Sequence, residues 1–179
     1  MPYYLTLSFW NHLIKGDRIL PWMHVGSIAE VDPEALKQSG IKGIIFDVDN
    51  TLTDHHQRQI NPIVREAFQR MQREFSCSIF SNCGRRRHQE LLEIFEIPVT
   101  KSALKKPNPE GFLKACGLMN LPAESVTVIG DRIMTDILGG NLAGMKTVLV
   151  DPFTAPEPLP IKLMRKLERY RYRSLMANR

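Results

Sequence analysis

Apolar and polar positions alternate on two length scales along this chain, and the alternation predicts its elements. Ile44 to Phe46 is a short apolar run behind Gly43 that stops abruptly at Asp47 and Asp49, the pattern of a buried strand meeting a polar turn. Cys77 to Phe80, Ile97 to Thr100, Val126 to Ile129 and Thr147 to Val150 repeat that signature. Between the runs, Pro62 to Glu74, Arg85 to Phe95, a segment from Pro109 to about Cys116, and Arg132 to Leu142 carry helical periodicity. Asp32-Pro33 opens a shorter helix, with the acid as cap and proline in the first turn, and Gly40 closes it. Strands and helices in this order predict βαβ units, hence a Rossmann-like three-layer α/β fold with a parallel sheet covered on both faces.

The two ends read differently. Tyr3 to Lys15 can be drawn as a helix with Leu5, Leu7, Phe9, Trp10, Leu13 and Ile14 on one broad face. Such a helix either docks on the domain or lies at a lipid interface, where Trp and Tyr favour sitting. Gly16 to Ser27 reads as irregular linker. Ile161 to Ser174 forms a basic amphipathic helix when wound at helical pitch. Leu163, Met164, Leu167 and Tyr170 share one face, with Lys162, Arg165, Lys166, Arg169 and Arg173 opposite. The expected organisation is an N-terminal helix and linker (1–30), a catalytic domain (31–152), and a Pro-rich connector with a basic helix (153–179).

Composition narrows the picture. The 179 residues carry a net charge of +5, but residues 161 to 179 hold seven basic side chains against Glu168 alone. The body is therefore nearly neutral and the basicity belongs to the tail. That surface suits a membrane or another partner. Nucleic acid would feel the same charge, but no stacking-aromatic motif accompanies it. No apolar run reaches a membrane span. Three cysteines without metal spacing, and no evident secretory signal, point to a cytoplasmic protein that touches membrane at most peripherally.

The polar clusters gather where chemistry belongs. Asp47/Asp49, Ser81/Asn82, Lys106 and Asp131 each lie at or shortly after a strand's carboxyl end, where parallel sheets bind ligands. Two carboxylates one residue apart repel unless a cation holds them, and Mg²⁺ suits an all-oxygen site. Each residue alone has a plainer reading: a solvated turn for Asp-x-Asp, a strand-end cap for Ser81, a surface loop for Lys-Pro.

In this order the residues resemble the haloacid dehalogenase-like (HAD) phosphatases, from roughly Ile41 to Val150. Asp47-Val-Asp49-Asn-Thr matches the first motif, Ser81 the second, Lys106 before Pro107 the third, and Gly130-Asp131 with Asp136 the fourth. Lys105 is the competing choice for the third. The resemblance implies Asp47 as a nucleophile that becomes an aspartyl-phosphate and Asp49 as general acid and base. It further implies Mg²⁺ on Asp47, Asp131 and the Asp49 main-chain carbonyl, with Asp136 steadying the metal's waters. Ser81, Asn82 and Lys106 would hold the phosphoryl group. His55, His56 and His88 read as loop histidines, Cys83 and Thr51 as neighbours of the motifs, and Asn141 as a helix-end residue.

The gaps from Asp47 to Ser81 and from Ser81 to Lys106 are too short for the inserted cap domain of that superfamily, so the expected site is open and capless. The Gly-Ile-Lys-Gly-Ile-Ile-Phe-Asp-Val-Asp-Asn-Thr-Leu stretch and the basic tail are similar to the YqeG-type, subfamily IIIA branch. Thr53-Asp54 departs from the more apolar pattern expected there. That branch is similar to phosphatidylglycerophosphate phosphatases, which implies a phospholipid head group as the phosphorylated substrate. A soluble phosphatase for a sugar or nucleotide phosphate, and a non-enzymatic adaptor using the tail, are the other readings.

Overall fold

The computed structural model describes residues 7–16, 18–53, 59–153 and 159–177. Asp54, His55 and His56, residues 3–6 of the expected N-terminal helix and part of the expected Pro-rich connector lie outside them.

In chain order the elements are α1 (Leu7–Lys15), β1 (Met23–Val25), α2 (Pro33–Gln38), β2 (Gly43–Phe46), α3 (Pro62–Glu74), β3 (Ser76–Phe80) and α4 (Arg85–Phe95). Then follow β4 (Val99–Thr100), α5 (Pro109–Met119), β5 (Val126–Gly130), α6 (Leu138–Leu142), β6 (Lys146–Val150) and α7 (Leu159–Ala177). The six strands form one parallel sheet in the order β1-β6-β5-β2-β3-β4.

The strand alternation sorts the core into two layers. Ile44 and Phe46 point to one face and pack with Val64 and Phe68 of α3 and Leu91 and Phe95 of α4. Ile45 points to the other, with Phe112 and Ala115 of α5 and Val128. All three β2 side chains are fully buried, each contributing about 1.5–3 kcal/mol of transfer free energy. Phe80 and Phe112 meet edge to face at 4.9 Å, and the bare α-carbon of Gly111 leaves room for the Phe80 ring. The caps follow the sequence. Asp32 accepts from the Glu34 amide at 3.0 Å ahead of Pro33, and Gly40 takes φ +80° after α2.

Two expectations about the ends are corrected. Gly16–Ser27 was expected as linker, yet Met23–Val25 pairs with Val148–Val150 as the sixth strand. Three residues are too few for a periodic signal. Their placement comes from Asn141, whose amide donates to Arg18 and Leu20 main-chain oxygens at 2.7 and 3.0 Å, and from buried Ile19.

The second correction concerns α7. Arg165 and Arg169, assigned to the outer basic face, turn inward instead, with side chains 11% and 16% exposed. Arg169 donates to Asp151 at 2.8 Å and to the Val150 carbonyl at 3.0 Å, at the carboxyl end of β6. Glu168 is buried and pairs with Arg132 at 2.7 Å. Met164, Leu167 and Tyr172 join Leu13, Ile133 and Leu149 in a third apolar cluster. Leu163 and Tyr170, grouped with Met164 and Leu167 on the apolar face, are exposed instead, together with Lys162, Lys166 and Arg173. The helix rotates this way because exposed carbonyls and acids at the strand ends reward cationic side chains more than apolar ones. Arg171 ties α7 to α1 through the Leu13 and Ile14 carbonyls at 3.1 and 2.6 Å.

The Arg132–Glu168 pair gives α7 a buried electrostatic anchor. Arg132→Leu leaves the Glu168 carboxylate, 1% exposed, without its cation. A destabilisation of about 3 kcal/mol is expected from urea unfolding. A loss below about 1 kcal/mol would show that α7 docks without help from this pair.

Candidate active site

The carboxyl ends of β2, β3 and β5, the loop before α5 and the inner side of α7 enclose an open cleft of about 300 Å³. Asp47, Asp49, Ser81, Asn82, Lys106, Asp131 and Asp136 all line it. The seven candidates drawn from the sequence are therefore brought together. Asn50, Cys83, Arg132, Thr135, Ile161 and Arg165 complete the wall.

Each side chain is aimed by local backbone. The Asp47 amide donates to the Ile129 carbonyl at 2.9 Å, continuing the β2–β5 ladder one residue past the strand. The chain then reverses sharply. Asn50 adopts φ +64°, a conformation asparagine tolerates, and its amide bonds the Thr53 carbonyl at 2.7 Å. Buried Val48 and Leu52 hold this turn against the core, so the two acids on either side of Val48 face the cleft. Asp136 lies on a π-helical turn, Ile133–Ile137, which leads into α6. Its Oδ2 accepts from the Arg132 amide at 3.0 Å. Gly130 is required below it, because an added Cβ would lie 2.5 Å from the Asp136 Cγ.

Lys106 is the hub. Its Nζ donates to Asp47 Oδ1 and to Asp136 Oδ1, both at 2.7 Å, and lies 5.3 Å from the Phe80 ring centroid. Burial opposes its charge, but the two carboxylates outweigh burial and hold the ammonium charged above its ordinary range. Lys105 is exposed, so the geometry selects Lys106. Asn82 positions it, accepting from the Lys106 amide at 2.7 Å.

Asp47, Asp131 and Asp136 offer oxygens within 4.8 Å of one another. Burial, partly offset by Lys106 and reinforced by Asp136 and Asp131, pushes the Asp47 carboxyl up. Burial also raises Asp131, against the pull of Arg165 and with the push of Asp136. Three crowded carboxylates at one end of the sheet form an all-oxygen donor set that fits a hard divalent cation. The Asp49 carboxylate is not part of this set; the expected ligand from that residue is its main-chain carbonyl.

Other sequence candidates find structural work. Thr51 Oγ1 lies 3.5 Å from Asp47 Oδ2. His88 bonds the Val99 carbonyl at 3.0 Å, and Asn141 clamps the segment before β1. Burial raises the Cys83 thiol, against a hydrogen bond with Ser81, so it lacks the depressed pKa of a reactive cysteine. Sequence reasoning missed Arg132 and misplaced Arg165. Arg132 follows Asp131 directly, yet nothing in its neighbours announces a partner as distant as Glu168.

Solved structures share this architecture. A HAD phosphatase from Thermococcus onnurineus superposes with TM-score 0.55 at 13% identity, covering 66% of this chain and 90% of that one. A HAD-superfamily hydrolase from Geobacter sulfurreducens gives 0.52 at 15% identity, covering 66% and 92%. With the four clustered motifs, the fold is that of the haloacid dehalogenase class.

The family model described as mitochondrial PGP phosphatase matches residues 5–154. A "Probable phosphatase YqeG" of Bacillus subtilis is 36% identical over 151 residues, covering 84% of this chain and 87% of the relative. The chain belongs to the PGP phosphatase family, and it is a phosphatase. Phosphatidylglycerophosphate phosphatase 1 of Chlamydomonas reinhardtii and that of Arabidopsis thaliana are each 32% identical across 84% of this chain. The aligned regions span 60% and 46% of those longer proteins.

The carboxylate crowding has a pH signature. Asp47 carries a raised folded-state pKa, so folding favours its protonated form. The metal-free protein should therefore lose stability as pH climbs from the ordinary 3.8 towards neutrality and above. Asp47→Asn should flatten that decline by on the order of 1 kcal/mol, and an added divalent cation should stabilise wild type more than the variant. Coincident pH profiles in thermal unfolding would show that Asp47 ionises without cost.

Proposed function

We propose that this phosphatase is Mg²⁺-dependent and removes the terminal phosphate of phosphatidylglycerophosphate at a membrane surface. The observation that carries the chemistry is buried Lys106, bridging Asp47 and Asp136 in the wall of an open, acid-lined cleft. The substrate rests on the family and on the outward face of α7.

Asp47, fixed by its main-chain bond to β5 and by Lys106, is the nucleophile. Its oxygen attacks phosphorus, the ester P–O bond breaks, and Asp49 protonates the departing oxygen. Asp49 then takes a proton from the water that attacks the aspartyl-phosphate, so inorganic phosphate leaves and Asp47 is regenerated. Ser81 and Asn82, beside Lys106, bind the phosphoryl oxygens. Lys106 supplies fixed positive charge there. Mg²⁺ would be held by Asp47, Asp131 and the Asp49 carbonyl, supported by Asp136, and would supply further neutralisation of the phosphoryl charge.

The surface argument starts from α7. Leu159, Leu163 and Tyr170 are 77%, 59% and 73% exposed, beside exposed Lys162, Lys166 and Arg173. Apolar and basic side chains mixed on one helix face suit the boundary between lipid head groups and acyl chains. Neighbouring α1 exposes Leu7 and Ile14 and half-exposes Trp10. No helix among the described residues is long and apolar enough to cross a membrane. In this reading the terminal segments hold the 31–152 catalytic body against lipid, and β1 splices the first segment into its sheet.

Two experiments test the proposal. With Mg²⁺ and vesicles containing phosphatidylglycerophosphate, wild type should release phosphate, and Asp47→Asn should be slower by roughly a thousandfold or more. Equal rates would remove Asp47 as nucleophile, and no release by wild type would remove the lipid substrate. The combined Lys162→Ala, Lys166→Ala and Arg173→Ala protein should sediment less with anionic vesicles. At about 1 kcal/mol per charge, the expected loss is on the order of a hundredfold in affinity at low salt. Undiminished sedimentation would discard the electrostatic contribution of α7.

A further inference from the structure

We infer that Glu168 is a positioning residue for the Mg²⁺ site: it holds the Arg132 guanidinium away from Asp131 and Asp136 and leaves those acids to the metal. The inference rests on the Mg²⁺ reading above. It gives a task to a buried acid that the proposed chemistry does not use.

Glu168 sits midway along α7 and is 1% exposed. A carboxylate so placed is costly unless a cation meets it. Arg132 meets both of its oxygens, Nη2 to Oε1 at 2.7 Å and Nε to Oε2 at 3.4 Å. A buried pair of this kind adds little stability over apolar side chains of the same volume. Met164, Leu167 and Tyr172 already supply α7 with apolar contact. What the pair provides that they cannot is a fixed place for one guanidinium.

That place matters because Arg132 lies inside the fourth motif. Asp131 precedes it directly, and its main-chain amide donates to Asp136 Oδ2 at 3.0 Å. Its side chain lines the same cleft as both acids. Burial works against the Arg132 charge, Glu168 outweighs burial, and Asp131 and Asp136 add to that hold. The two acids therefore already feel the guanidinium, although its ion-pair partner among the described residues is Glu168. Remove the Glu168 charge, and a side chain only 21% exposed finds its replacement carboxylates in the cluster. A guanidinium forks onto a carboxylate through two N–H bonds and keeps its proton at any working pH. There it would cover the oxygens that a divalent cation needs.

Calorimetric titration of the full chain with Mg²⁺ alone tests this on wild type, Glu168→Gln and the double variant that adds Arg132→Gln. Glu168→Gln should bind Mg²⁺ at least about tenfold more weakly, and the double variant should return to within about threefold of wild type. The rescue separates positioning from docking. The double variant also lacks the ion pair between α7 and the sheet, so a purely structural role predicts no recovery. Glu168→Asp keeps the charge one methylene short and should lose part of the affinity. With Arg132→Gln added in turn, it carries the same comparison if circular dichroism shows Glu168→Gln unfolded. Unchanged Mg²⁺ affinity in the folded Glu168 variants overturns the assignment, as does a loss that Arg132→Gln leaves in place. Wild type that binds no Mg²⁺ overturns the metal reading and the assignment together.

Discussion

The structure of the cleft depends on one buried ammonium. Three carboxylates within 4.8 Å of one another at the carboxyl end of a buried parallel sheet would repel one another without positive charge among them. Lys106 supplies it from the loop before α5, reaching two of the acids at equal length. Arg165 reaches the third from α7. The cations come from opposite sides of the cleft and from segments far apart in the chain, so assembly of the site requires the sheet, the loop and the last helix to be in place.

The same electrostatics explain why the chain ends lie as they do. Parallel strands leave carbonyls and acids at their carboxyl ends, and α7 answers with a row of arginines. Arg169 satisfies Val150 and Asp151, while Arg132 from the sheet side reaches Glu168 in return. The apolar contacts of Met164, Leu167 and Tyr172 supply adhesion, and the ion pairs select the helix rotation. What remains outside is a face that is neither wholly charged nor wholly apolar.

Much of this was legible in the chain. The abrupt end of Ile44–Phe46 at Asp47, and the recurrence of polar clusters after later strands, located the cleft because parallel topology brings strand ends together. Lys106 could be chosen over Lys105 only through a motif, since their separation is one residue; burial makes the choice in the structure. What stayed hidden was long-range and compensatory. The strand Met23–Val25 is defined by pairing with β6 and has too few residues to carry a period. The rotation of α7 defeated a helical-wheel argument because that argument assumes apolar residues face inward. Here Arg165, Glu168 and Arg169 face inward because their partners are already there, and no local pattern in residues 161 to 174 records those partners.

The sheet's margins carry a consequence for behaviour at high protein concentration. One edge strand has three residues and the other has two, so each offers only a brief row of unpaired backbone groups. A neighbouring copy finds little template for extending the sheet from molecule to molecule. Crowding therefore meets little exposed ladder, as the four inner strands are all flanked by others of the same chain.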